Sequence, residues 1–145
     1  MNKVDENILH KVDLRVCIWG FENISHNELS HALGVKPTKS YFKNELKNPK
    51  STVAAKENGW IWSAKEEKEN SSFYEQLQRV KQLLSTKIDF LSTISKSCLL
   101  ELSCAVFLNV HNENDSLPSI HLAKEDLDFF GDIKMEFDID LYFVS

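Results

Sequence analysis

The chain has little of what punctuates, cross-links or anchors a protein: four glycines, three prolines and three cysteines in 145 residues. Gly20, Gly34, Gly59 and Gly131 lie too far apart to form a phosphate-cradling loop, and no serine stands in a G-x-S-x-G elbow. Cys17, Cys98 and Cys104 are odd in number and form neither a closely spaced zinc pair nor a disulfide framework, so they read as small buried hydrophobes. His26 and His31 are five residues apart, where a shared helical face needs three or four. These absences remove the usual anchors of hydrolases, nucleotide-binding proteins and structural metal sites; no catalytic residues, cofactor or metal are expected. No segment approaches about 18 uninterrupted apolar residues, and Met1 to Lys11 has no apolar run longer than Ile8 and Leu9, so neither a membrane span nor a leader is expected. A cytoplasmic protein is the expectation.

What is present is an ordinary globular composition, 42% hydrophobic and 27% charged, in a length that suits one domain over residues 1–145. The net charge of −5 argues against direct nucleic-acid binding, which needs a surplus of Lys and Arg. The charge is unevenly spread. Residues 36–56 hold six lysines against Glu45, whereas from Glu113 to the end nine acids face Lys124 and Lys134.

Apolar periodicity divides the chain into elements. Val12, Leu14, Val16 and Ile18 alternate with Asp13, Arg15, Cys17 and Trp19, predicting a strand that ends at Gly20, with residues 1–11 a flexible N-terminus. Ser25 followed by Glu28 reads as a capping box opening a helix that Gly34 and Pro37 close. Residues 36–58 form a basic loop with an extended piece around Tyr41 and Phe42; Gly59 then leads into a short strand, with Trp60 and Trp62 on one face. A second capping box, Ser72 and Glu75, opens one long helix or two consecutive ones, from the spacing of Phe73, Leu77, Val80, Leu84, Ile88 and Leu91. A long strand is predicted from Leu99 to Val110, a polar turn over residues 112–118, and a short strand over 119–122. A brief helix from Lys124 to Phe130, closed by Gly131, follows. In the last strand Ile133, Met135, Phe137, Ile139, Leu141 and Phe143 are expected to face the core. The order predicts an α+β fold: a single domain with a mainly antiparallel sheet and helices packed on one face.

Two constellations invite a functional reading. Glu136, Asp138, Asp140 and Tyr142 share one strand face, with about 7 Å between successive side chains. Such a row is ordinarily a solvated face that also discourages edge pairing; it could hold a hard cation, or dock a basic partner with Tyr142 as an anchor. The alternative ligand-binding set is Tyr41, Lys43, Trp60 and Trp62, aromatic rings that could stack a base beside lysines that could grip phosphate. Core packing is the commoner role for such tryptophans. His111 and His121 read as strand-end residues.

Several segments together resemble an uncharacterised bacterial family, domain of unknown function 4279. They are Leu33-Gly34-Val35-Lys36-Pro37-Thr38, the basic loop with Ser40 and Tyr41, Gly59-Trp60-Ile61-Trp62-Ser63, and the closing Phe137-Asp138-Ile139-Asp140-Leu141-Tyr142. The chain departs from the family pattern at Lys43-Asn44-Glu45, where a glycine is common. The resemblance implies no agreed activity and carries over no catalytic residues. By analogy it implies a small cytosolic immunity protein that neutralises a cognate polymorphic or contact-delivered toxin, and the acidic balance suits a basic toxin such as a nuclease.

Overall fold

The computed structural model describes residues 10–66, 70–109 and 117–144. Two flanking segments of the sequence reading, residues 1–9 and the core of the polar turn with His111, Glu113 and Asp115, lie outside them. The elements in chain order are β1 (Lys11–Trp19), α1 (His26–Leu33), β2 (Lys39–Tyr41), β3 (Gly59–Ser63), α2 (Phe73–Leu84), α3 (Ile88–Ile94), β4 (Leu99–Asn109), α4 (Lys124–Ile133) and β5 (Glu136–Val144). The strands form one sheet in the order β2-β3-β1-β4-β5. Its pairs are antiparallel except β4 with β5, which run parallel and are joined through α4. The fold is α+β with a mainly antiparallel sheet.

Both capping boxes form. The Ser25 hydroxyl accepts from the Glu28 N–H while the Glu28 carboxylate accepts from the Ser25 N–H, and Ser72 and Glu75 repeat the arrangement at α2. Gly34 ends α1 at φ 74°, a conformation that costs a glycine nothing in side-chain sterics. The apolar stripe from Phe73 to Leu91 is split into α2 and α3.

The helices all pack on one sheet face. Val12, Leu14, Val16 and Ile18 of β1 and Leu100, Leu102, Cys104 and Val106 of β4 meet Leu29 and Leu33, Leu77, Val80 and Leu84, Leu91, and Phe130 and Ile133 from the four helices. Burial of each such side chain stabilises the fold by about 1.5–3 kcal/mol. Gln76 lies within this core. Its amide takes the place of a neighbouring strand where β3 has ended, accepting from the Leu14 N–H at 2.8 Å and donating to the Val12 carbonyl at 2.7 Å.

Several expectations are corrected. Two residues assigned to the flexible N-terminus belong to the sheet: the His10 Nδ1 accepts from the Asn109 N–H at 2.9 Å, and Lys11 pairs with Phe107 in β1. In the basic loop the extended piece expected around Tyr41 is β2, and an isolated bridge between Leu46 and Ala54 is added to it. Its turn is made by Asn44 at φ 73°, one of the few side chains that tolerate the left-handed region, so the departure from the glycine pattern does not abolish the turn. Residues 119–122 form no strand, because Ile120 and Leu122 pack directly against the core and not into a ladder. Helix α4 does not stop at Gly131. It runs on to bury Ile133 and closes with Lys134 at φ 70°, where the Lys134 N–H bonds the Gly131 carbonyl and the Met135 N–H the Phe130 carbonyl.

The largest correction concerns β5. Ile133 ends α4 and Met135 is a connector, so the strand begins at Glu136. Phe137, Ile139, Leu141 and Phe143 pair with Leu102, Cys104, Val106 and Leu108, which puts them on the helix-bearing face. They are nevertheless 38%, 43%, 58% and 72% exposed. Among the described residues the helices cover the sheet as far as β4 and reach β5 only at its start, where the Phe137 ring meets Phe73 edge-on, centroids 6.5 Å apart.

Candidate partner-binding face

The sheet face away from the helices carries the acidic row. Cross-strand register sets Glu136 beside Glu101, Asp138 beside Ser103, Asp140 beside Ala105 and Tyr142 beside Phe107. Side chains directly opposite one another share a face, so Glu101 of β4 joins Glu136, Asp138 and Asp140 in one acidic field at the β5 side of the sheet. Tyr142 stacks on Phe107, ring centroids 5.2 Å apart, and closes the far end of the row with an aromatic pair. The structure therefore brings together all four residues of the acidic constellation and adds two that sequence reading missed. Glu101 was legible only as a polar position of β4; its membership depends on which strand lies beside it.

Two cations of β1 share this face, Lys11 opposite Phe107 and Arg15 opposite Ser103. Arg15 is already engaged: its Nε and Nη2 both donate to Asp13, at 2.9 and 2.7 Å. Asp13 also accepts from the Ser63 hydroxyl at 2.6 Å. None of Glu136, Asp138 and Asp140 forms an ion pair among the described residues. Burial pushes the Glu101 carboxyl above its ordinary value, the neighbouring Trp19 indole opposes this, and the charges of Asp138, Glu136 and Asp140 raise it further. Glu101 thus registers the crowding of like charge. Among the described residues no group of three or more His, Cys, Asp and Glu is placed to hold a metal ion.

The alternative ligand-binding set is not brought together. Trp60 and Trp62 pair with Ile18 and Val16, so both rings sit on the helix-bearing face, as the alternation requires. Trp60 is completely buried and its indole N–H donates to the Ser30 hydroxyl at 3.0 Å; Trp62 packs partly buried against the core. Tyr41 is on the opposite face, stacked on Trp19 at 5.9 Å, and Lys43 is held by Glu22 at 2.9 Å. Gly59 makes the stack possible, since a Cβ there would stand 2.5 Å from the Trp19 ring. Trp19 and Tyr41 line a half-open cleft of about 220 Å³ with Lys47, Lys56 and Glu57.

The three cysteines are free. Burial raises the Cys17 thiol to about 12 and the Cys104 thiol to about 11, so neither supplies a thiolate near neutral pH. Among the described residues no helix is long and apolar enough to cross a membrane. No curated protein and no solved structure matches the chain. The family described as Domain of unknown function (DUF4279) matches residues 10–144, and the chain belongs to that family.

Proposed function

We propose that this protein is a non-enzymatic, cytoplasmic binding protein that acts as an immunity protein: it occupies and neutralises a cognate toxin domain of basic surface, a nuclease being the type best matched by charge. The observation that carries the reading is the acidic field of Glu101, Glu136, Asp138 and Asp140 with Tyr142, laid on the sheet face opposite the described helices, where none of Glu136, Asp138 and Asp140 forms an ion pair among the described residues. Uncompensated like charge in a compact domain weakens its own fold, and a basic partner relieves that repulsion while gaining steered association. An aromatic at the end of such a row gives the contact an anchor.

The test uses the tagged chain to capture its partner, followed by a growth assay of the captured domain expressed alone or with this protein. A toxic domain silenced by coexpression is the expected result. The triple substitution Glu136→Gln, Asp138→Asn, Asp140→Asn should then slow association about tenfold at low ionic strength and flatten its salt dependence. Full protection and unchanged kinetics with the triple variant would remove this face from the interaction.

A further inference from the structure

β5 is a sheet edge as well as an acidic surface. It spans nine residues, whereas the opposite edge, β2, has three, and among the described residues no strand pairs with its outer side. Every second residue of such an edge directs its backbone N–H and C=O away from the sheet, a template for another strand. Sheets commonly blunt an edge of this length with charged side chains, lysine above all, or with proline, a bulge or a covering helix. β5 contains neither Lys nor Pro, its register with β4 is unbroken from Glu136 to Val144, and all nine residues are exposed; its charges are the three carboxylates, which repel an acidic strand and attract a basic one.

Its two faces differ in chemistry. Glu136, Asp138 and Asp140 occupy one, and Phe137, Ile139, Leu141 and Phe143 the other. The apolar row continues into a groove of about 140 Å³ between α4 and the start of β5, bounded by Leu122, Leu127, Phe130, Met135 and Phe137. An added strand would meet both rows at once, because its own side chains also alternate. The side chains it needs are then fixed by complementarity: apolar on one face and cationic on the other.

We infer that β5 is a docking edge for an extended segment of the basic protein partner, a strand alternating Lys or Arg with β-branched or aromatic residues, which extends the sheet by one strand. The inference rests on the proposed partner-binding role and specifies how the contact is made. Strand addition draws affinity from main-chain hydrogen bonds and specificity from alternate side chains. The same carboxylates that admit a basic strand exclude a second copy of this chain. In antiparallel pairing about a twofold normal to the sheet, the register that overlaps the whole of Glu136–Val144 sets Asp140 opposite its own copy, and like charges directly opposite are destabilising.

The experiment titrates the full chain against fluorescein-labelled peptides of nine residues. The first alternates Lys with Val. The second has the same composition in one block of Lys and one of Val. Two further versions of the alternating peptide are N-methylated, one at every Lys and one at every Val, so that each loses the amide donors along one edge. The alternating peptide should bind about tenfold more tightly than the block peptide, at least one methylated version should lose that advantage, and amides of residues 136–144 should gain protection from hydrogen exchange. Equal affinity for alternating and block peptides, lost together in the triple neutralised variant, would overturn strand addition while leaving the acidic face as a binding surface. Failure of every basic peptide to bind would overturn both readings. A β5-mediated dimer of the free protein in sedimentation would replace the proposed occupant with a second copy.

Discussion

Gln76 is a polar residue placed in the middle of an apolar helical stripe, one turn from Phe73 and Val80, and it is completely buried. Its side chain completes the hydrogen bonding of β1 beyond the end of β3, so substitution would leave the Leu14 N–H and the Val12 carbonyl without partners inside the core. Gln76→Leu, although better matched in hydrophobicity, should destabilise the protein by about 3 kcal/mol, measured by urea titration; a loss below about 1 kcal/mol would mean that water or a shifted backbone fills the role. Lys134 presents the reverse case, a side chain in a conformation that suits its absence. At φ 70° it closes α4 where glycine is the ordinary choice, and Lys134→Gly should stabilise the fold by about 1 kcal/mol in the same titration. An unchanged or lower stability would show that the lysine side chain contributes more than its backbone conformation costs.

At the scale of elements, the pieces that could be read from sequence are those whose signals are local. Ser25 with Glu28, Ser72 with Glu75, and Gly34 specify helix ends through contacts three or four residues long, and each of these ends is where the pattern placed it. The alternation of β1 likewise placed Val12, Leu14, Val16 and Ile18 together on one face, which is buried because helices cover the strand. β5 alternates as regularly, yet its apolar side chains are exposed: periodicity states which residues share a face, and only tertiary packing states whether anything lies on it. The same limit hid Glu101 from the acidic site and misplaced the end of α4, whose continuation depends on Ile133 finding the core. What holds α4 there is partly electrostatic. Asp126 is pulled up by burial, but the Lys81 ammonium at 2.6 Å, the Ala123 N–H and the charges nearby outweigh this and hold its carboxyl below the usual range. A lowered folded value contributes stability above the unfolded pKa and loses it as pH falls through the folded one. Asp126→Ala removes the tie between α4 and α2 together with the bond to the Ala123 N–H. It should cost about 2–3 kcal/mol at pH 7, shrinking in acid, and α4, the crossover that delivers β5, should show the earliest loss of hydrogen-exchange protection.

For the whole molecule, the acidic field sets fold stability and partner binding against each other. Glu101 has its folded pKa raised above 4.5, by burial first and by Asp138, Glu136 and Asp140 after the opposing effect of the Trp19 indole. The sign follows directly: its contribution to stability is fully present below the unfolded value near 4.5 and is lost as pH rises through the higher folded value, so at pH 7 the charged form is a penalty. Glu101→Gln keeps the size and polarity of the side chain beside the Trp19 indole and removes the charge. The variant should therefore melt at a higher temperature than the parent at pH 7, with the difference closing as the pH is lowered to about 4.5. Salt should act in the same direction on the parent. The Debye length shortens from about 30 Å at 0.01 M to about 10 Å at 0.1 M, which reduces repulsion along a row whose neighbours stand about 7 Å apart. On binding, both changes should reverse sign, because the charge that strains the free protein is the charge a cationic partner meets: Glu101→Gln and added salt should each weaken the complex while stabilising the free chain. A Glu101→Gln protein less stable than the parent at pH 7 would show that the effect of the Trp19 indole on the carboxylate outweighs the repulsion, and Glu101 would then be a structural member of the sheet and not part of the docking surface.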